Sequence, residues 1–456
     1  MQNEVIIVEG GHRVSGVLEV CGAKNSVLKL MAASIMARGI CSIVNTPHIS
    51  DVLIMADVLR HLGAEVKIAK NIITIDSSNL DSYEAPYELV AQMRASTAVL
   101  GPLIVRLGKA RVAMPGGCQI GSRKLDMHIV GLQALGVNFE VSHGYINASV
   151  PVGGLKAARV ALDFPSVGTT ENLMVAACTA RGTTVLENVA REPEIVDLAN
   201  FLEAMGARIS GQGSPVMRIE GRDASEFAPV LDYRTCGDRI EAGTLLVAGA
   251  LGGGPLTVRG VDPAYLAIPL TKLQAAGCHI TTQGGSAGTD GDRVVPGASP
   301  DVSPGAVPST KPGASPGEIT ITAHGRFSPI DIQTLPYPGF PTDLQAQFMV
   351  LDAVAAGTSV ITENIFENRF MFADELNRMG ANIRIEGHHA LIEGVSRLSG
   401  APVQAPDLRA GAALVLAGLN AEGESVISGT EHIDRGYQDL VGQLSSVGAR
   451  IKRTRR

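Results

Sequence analysis

The sequence predicts an α/β protein made of six repeats of helix, strand, helix and strand, arranged as two groups of three. Three observations carry that prediction. Six apolar helical stretches each end at a glycine: Gly39, Gly108, Gly182, Gly252, Gly357 and Gly423. A second set of helices ends at the corners Leu62-Gly63-Ala64, Leu135-Gly136-Val137, Met205-Gly206-Ala207, Ala276-Gly277-Cys278, Met379-Gly380-Ala381 and Val447-Gly448-Ala449. Successive corner glycines are 73, 70, 71, 103 and 68 residues apart, so the units share one length except where a single insertion lengthens the chain. Glycine at each helix end is what a C-cap with positive φ requires.

The first helix of each unit is rich in Ala, Leu, Val and Met on all sides, as in LKLMAASIMARG and AALVLAGLNAEG. Helices with no polar face belong inside the protein, packed against one another. Counting back 15, 14, 14, 14, 14 and 14 residues from the terminal glycines reaches Lys24, Arg94, Gly168, Asp238, Asp343 and Arg409. Five of the six buried helices therefore begin with a charge. Helix N-termini carry unpaired N–H groups and partial positive charge. If the helices are parallel, their first turns open on common surfaces suited to anions. Asp238 and Asp343 are equally readable as simple helix caps. Lys24, Arg94 and Arg409 are not, because a cation opposes the dipole at that end and costs stability unless an anion lies beside it.

From first-helix glycine to corner glycine the units span 24, 28, 24, 25, 23 and 25 residues, so the second is the longest. Its extra residues fall where the strand ARVAM enters the loop PGGCQIGSRK. Cys118 in that loop follows a glycine pair and has Arg111, Arg123 and Lys124 close in sequence, a setting that lowers a thiol pKa. A reactive thiol on a closing loop and a structural thiol both fit this spacing. The insertion, residues 284–317, has almost no large apolar side chain and repeats PGAS, so it is expected to be a flexible hairpin extension.

A chain of 456 residues is too long for one ordinary core, and six units divide naturally into two halves with a ligand cleft between them. The net charge of -7 and a pI near 5.8 argue against general nucleic-acid binding while allowing a local basic pocket. The basic residues 452–456 read as a solvated end. The opening MQNEVIIVEGGHRV lacks a basic region followed by a long apolar core, so no secretory signal is expected, and no apolar run is long enough to span a bilayer. Six cysteines without a CxxC pair or a histidine at metal spacing point to reduced thiols in the cytoplasm, with no metal and no cofactor.

Several segments carry a resemblance. Gly22-Ala23-Lys24-Asn25-Ser26, Met93-Arg94-Ala95-Ser96, Pro115-Gly116-Gly117-Cys118 with Ile120-Gly121-Ser122-Arg123, Pro341-Thr342-Asp343-Leu344-Gln345-Ala346-Gln347, Phe366-Glu367-Asn368-Arg369-Phe370 and Asp407-Leu408-Arg409-Ala410 occur in that order. Together they resemble the UDP-N-acetylglucosamine 1-carboxyvinyltransferase family, enolpyruvyl transferases related to EPSP synthase. The resemblance extends to Asp434-Arg435-Gly436-Tyr437 and is interrupted only by the insertion.

The resemblance implies a two-domain inside-out α/β barrel of six βαβαββ repeats, three per domain around buried parallel helices. It implies a first domain over residues 21–232, and a second formed by residues 1–20 and 233–456. The implied reaction moves the enolpyruvyl group of phosphoenolpyruvate to the 3-hydroxyl of UDP-N-acetylglucosamine through a tetrahedral ketal and releases phosphate. Lys24, Arg123, Arg409 and Arg369 are the implied cations for the phosphate and carboxylate of phosphoenolpyruvate. Cys118 is the implied acid, able to form a thioether adduct and to be alkylated by fosfomycin, and Asp343 is the implied base or hydroxyl-orienting group. The nucleotide-sugar contacts implied are Asn25, Arg94, Arg123, Lys124, Leu125, Asp126, Met127, Ser166, Val167, Gly168 and Ile365. Phe164-Pro165 departs from relatives that place a lysine just before Ser166. The partners expected are these two small molecules, with neither nucleic acid nor membrane insertion.

Two other readings are distinguishable. The shikimate-pathway enolpyruvyl transferase shares the architecture, but PGGC with Cys118 argues against it. A non-catalytic UDP-sugar sensor would be favoured by loss of Cys118, Lys24 or Asp343, and all three are present. Deleting residues 286–315 is expected to preserve activity if the insertion is only a solvated extension; a large rise in KM on deletion would place it at the cleft.

Overall fold

The computed structural model describes residues 4–114, 125–285, 293–294 and 316–455. The apolar stretches form buried helices at Lys24–Ala33, Leu100–Leu107, Val167–Ala177, Arg239–Gly252, Gln345–Ala353 and Leu408–Asn420. In the fourth, every residue from Arg239 to Leu251 is buried, and in the sixth every residue from Arg409 to Leu419. With no polar face, such helices are stable only inside a core. The second and fifth begin as tighter 3-10 turns, Arg94–Val99 and Thr342–Leu344, before becoming α-helical. The six corner glycines all have positive φ, as do five of the six first-helix glycines. In the fourth unit the helix continues through Gly252, and the left-handed cap falls one residue later than expected, on Gly253 at φ 62°.

Six sheets share one strand order. In the second, third, fifth and sixth units the strand before the buried helix pairs in parallel with the strand after it, the helix providing the crossover, whereas the first and fourth units exchange their leading strands; an antiparallel pair completes each sheet. In the second unit the order is Glu84–Ala85, Lys109–Ala113, Tyr145–Ser149, Asn138–Ser142. Three sheets take a strand from a distant part of the chain. Tyr233–Arg234 pairs in parallel with Ile43 and Val44 in the first unit. Val14–Glu19 is the leading strand of the fourth unit, alongside Gly253–Arg259. Glu4–Glu9 lies between Glu424–Ser428 and Arg450–Arg455 in the sixth.

The apolar interior separates in the same way. One core runs from Val27 to Phe227, and the other joins Ile6 to Val20 with Ile240 to Ile451. The chain passes between the cores twice, and the two crossings are hydrogen-bonded to each other. The N–H of Ala23 donates to Cys236 O at 2.7 Å, that of Asp238 donates to Cys21 O at 2.9 Å, and Gly22 faces Gly237 in an antiparallel bridge. Neither glycine has room for a side chain, since a Cβ would come 1.8 Å from Asn45 O at Gly22 and 1.9 Å from Gly260 O at Gly237. Buried Asp197 anchors the crossing by accepting hydrogen bonds from Ser26 Oγ, Thr235 Oγ1, Tyr233 OH and the N–H of Cys236.

Part of the insertion is structured: Arg293–Val294 pairs antiparallel with Thr281 and Thr282, adding a fifth strand beside the hairpin of the fourth unit. Residues 286–292 and 295–315 of it lie outside the described residues. Among the described residues, no helix is long and apolar enough to cross a membrane. Gly237→Ala should lower stability by about 1–3 kcal/mol through overpacking against backbone. A fall in the denaturant midpoint checks this, and an unchanged midpoint would mean the crossings part easily.

Candidate active site at the seam between the two cores

The crossings set buried helices from opposite cores side by side by their first turns. Asp238 caps its own helix, its Oδ1 accepting from the N–H groups of Ile240 at 2.8 Å and Glu241 at 3.0 Å. Its Oδ2 accepts from the N–H of Lys24 at 3.0 Å, so one carboxylate serves two helix N-termini. The sixth buried helix is capped by Asp407, which accepts from the N–H groups of Arg409 and Ala410. That cap went unrecognised in the sequence because the register pointed to the charge two residues later. Asp343 does not cap a helix. Its carboxylate receives Arg369 Nη2 at 2.9 Å and Arg409 Nη2 at 3.2 Å.

Three of the cations that the resemblance implies are buried: Lys24 is 7% exposed, Arg369 5% and Arg409 3%, whereas the Asp343 side chain retains 26%. The anion each needs is supplied by the protein itself. Lys24 Nζ lies 2.8 Å from Asp51 Oδ2, and Asp51 Oδ1 lies 2.9 Å from Arg435 Nε. Burial pushes the Lys24 pKa down, Asp51 opposes that, and the nearby Arg409 and Arg435 charges push it down further. Lys24 and Arg409, from opposite cores, are thus within electrostatic reach of each other. Burial also opposes the charge on Arg409, but Asp343, Tyr437 and Asp238 outweigh it and hold its pKa above the usual value. Arg409 Nη1 is 3.4 Å from Tyr437 OH, which bonds Thr244 Oγ1 at 2.9 Å and receives Gln347 Nε2 at 3.4 Å. Among the described residues, Arg409 Nε and Gln347 Oε1 have no hydrogen-bond partner.

A second group lines the neighbouring part of the first core. Ser166 caps the third buried helix, its Oγ accepting from the N–H of Thr169 at 3.4 Å, and Val167 and Gly168 are half-buried in its first turn. Asn172 stitches this turn to its surroundings, donating to Gly168 O and Thr97 O, accepting from the N–H of Gly101 at 2.7 Å and contacting His128 Nδ1 at 3.3 Å. Lys29 and Glu171, paired at 2.6 Å, join this helix to the one that starts at Lys24. Leu125 precedes the helix Asp126–Ala134, where Asp126 is exposed and Met127 half-buried, and Asn25 is half-buried beside Lys24. Arg94 opens its 3-10 turn, as the register placed it. The N–H of Ile365 donates to Glu363 Oε1 at 2.8 Å, while Thr342 Oγ1 donates to Glu363 Oε2 at 2.8 Å, so buried Glu363 fixes the Ile365 loop against the Asp343 turn. Cys118, Arg123 and Lys124 lie outside the described residues. The sequence reading assigned no site role to Asp51, Glu363, Arg435 or Tyr437. The only signal for the last two was their membership in the terminal Asp434-Arg435-Gly436-Tyr437 segment. Among the described residues, no cluster of three or more His, Cys, Asp or Glu side chains is arranged to hold a metal ion.

Two lobes of three repeats each, with buried cations meeting at the seam, define the enolpyruvyl-transferase class of fold. The sequence profile of EPSP synthase (3-phosphoshikimate 1-carboxyvinyltransferase) matches residues 8–444. The chain belongs to this family and, within it, to the UDP-N-acetylglucosamine 1-carboxyvinyltransferases. The protein of that name from Corynebacterium jeikeium is 48% identical over 450 residues, covering 99% of each chain. The one from Desulfatibacillum aliphaticivorans is 46% identical at the same coverage. Among solved structures, the enolpyruvyl transferase NikO from Streptomyces tendae matches with a TM-score of 0.82 and 25% identity over all of both chains. EPSP synthase from Acinetobacter baumannii shares the fold, with a TM-score of 0.71 at 16% identity, covering 99% of this chain and all of the other.

Two carboxyls near the seam, buried Glu241 and half-buried Glu192, carry a pH signature. Burial first, then the charge of Asp238, pushes the Glu241 pKa up to about 7, and burial does the same to Glu192. A carboxyl raised in the folded state favours folding below the ordinary carboxylate range, and this contribution fades as pH rises through about 7. Glu241→Gln should therefore reduce the loss of stability between pH 5 and pH 8 by roughly 2 kcal/mol. Paired denaturation curves at the two pH values check it, and parallel losses in both proteins would refute it.

Proposed function

We propose that this protein transfers the enolpyruvyl group of phosphoenolpyruvate to the 3-hydroxyl of UDP-N-acetylglucosamine, releasing phosphate, as the first committed step of peptidoglycan precursor synthesis. The observation that carries this reading is Lys24 of one core, bonded through its N–H to Asp238 of the other and within electrostatic reach of the Arg409 that pairs with Asp343. A small dianion placed there would be gripped by both lobes, and guanidinium forks suit phosphate and carboxylate oxygens alike. The names of the full-length relatives support the choice of UDP-N-acetylglucosamine as acceptor over shikimate 3-phosphate.

In this reading Lys24, Arg123, Arg369 and Arg409 hold phosphoenolpyruvate. The sugar 3-oxygen bonds to C2 as its proton passes to Asp343, while C3 takes a proton from Cys118 to complete the ketal. Loss of a C3 proton with departure of phosphate then restores the double bond on the transferred group. Low dielectric at the seam strengthens each of these charge interactions. Asn25, Arg94, Lys124, Leu125, Asp126, Met127 and Ile365 contact the nucleotide sugar, whose diphosphate lies on the helix start formed by Ser166, Val167 and Gly168, where the N–H groups of Val167 and Gly168 face it and that of Ser166 is held by Phe164 O.

We assign residues 21–232 to one lobe and residues 1–20 with 233–456 to the other. The separate cores support this division, with Tyr233–Arg234 still paired to the first lobe at the crossing. A cytoplasmic location fits the free thiols among the described cysteines. The test is phosphate release from phosphoenolpyruvate that depends on UDP-N-acetylglucosamine; folded protein that releases none would favour a sensor. Cys118→Ala should abolish or severely reduce turnover while leaving UDP-sugar binding nearly intact, and full activity in that variant would remove Cys118 as the acid.

A further inference from the structure

Asp51 stands outside every role assigned so far. It lies in the first turn of the helix Ser50–His61 and is 2% exposed, with one oxygen on Lys24 and the other on Arg435. Lys24 borders the first core and Arg435 the second, and the N–H of Ser50 donates to Asp434 O at 3.1 Å beside them. A buried carboxylate between two cations is a costly way to fill space, since apolar side chains would do so without desolvating charge. Its geometry does what they could not: it fixes the direction of one ammonium and makes that direction depend on a contact from the other lobe.

We propose that Asp51 is a positioning residue for enolpyruvyl transfer, aiming Lys24 at the anionic substrate and, through Arg435, making that aim depend on the two lobes lying together. The proposal rests on the reading that Lys24 binds phosphoenolpyruvate. Around Lys24 the charged groups are Asp51, Arg409 and Arg435, with Asp238 on its backbone N–H. Burial and the two guanidiniums favour the neutral amine, and Asp51 is the group that opposes them. Removing the Asp51 charge should therefore let Lys24 deprotonate at lower pH, and removing Arg435 should do the reverse.

The wild type is assayed first for UDP-N-acetylglucosamine-dependent phosphate release, so that failure of the reaction itself is seen separately. Asp51→Asn is then expected to raise KM for phosphoenolpyruvate about ten- to a hundred-fold, with KM for UDP-N-acetylglucosamine changed by less than about twofold. The alkaline limb of kcat/KM for phosphoenolpyruvate should move to lower pH, and Asp51→Glu should return it toward the wild-type position. Arg435→Gln, at a half-exposed site, should raise the same KM and move that limb to higher pH. Folded Asp51→Asn with an unchanged limb, or with equal rises in both KM values, overturns the proposal. If Asp51→Asn does not fold, an unmoved KM and limb in Arg435→Gln overturn it instead.

Discussion

The carboxylate of Asp238 is the contact on which the arrangement of this protein turns. Two helix N-termini from different cores, each with partial positive charge, repel one another when side by side, and an anion between them relieves that repulsion. Asp238 supplies it, bonding the N–H groups of Ile240 and Glu241 on one side and that of Lys24 on the other. The paired crossings at Gly22 and Gly237 hold it there, and their lack of room for a Cβ means no other residue pair would bring the strands so close. Once those helix starts meet, the seam between the lobes becomes a place where negative charge is favoured.

The side chains at the seam follow that bias and partly balance it. Lys24, Arg369, Arg409 and Arg435 gather there, and Asp51 and Asp343 pair with them at 2.8–3.2 Å, in contacts that are buried for Lys24 and partly buried for the arginines. A buried cation without a partner is costly, so the protein's own carboxylates stabilise the site as it stands. Asp343 is the more exposed of the acids, held between two guanidiniums that also suit an incoming anion. Arg409 ties Asp343 to Tyr437 OH, which bridges Arg409, Thr244 and Gln347 on the buried side.

The helix register was readable from sequence because it depends on local chemistry. A buried helix must be apolar all round, and its glycine end leaves a mark on the chain. Counting from those marks placed Lys24, Arg94, Gly168, Asp238, Asp343 and Arg409 at helix starts, and all six lie in or beside first turns. The errors were local as well: the cap at Gly253 instead of Gly252, the tighter opening turns at Arg94 and Thr342, and the unnoticed cap Asp407. Asp238 caps its helix and Asp343 does not, a difference no single turn of sequence could display.

By itself, the sequence determined the repeat, the burial of its helices and the charges at their starts, since each depends on residues within a few turns of one another. Its ordered motifs also carried the family. Tertiary structure alone decided which charges meet. Arg435 reaches Asp51 across 384 positions, and Lys24 takes its backbone partner from Asp238 across 214. It also decided that Glu4–Glu9 and Val14–Glu19 complete sheets of the later repeats. Pairing of charges and strands over such separations depends on how the cores are placed in space, and electrostatic energy follows that distance rather than distance along the chain.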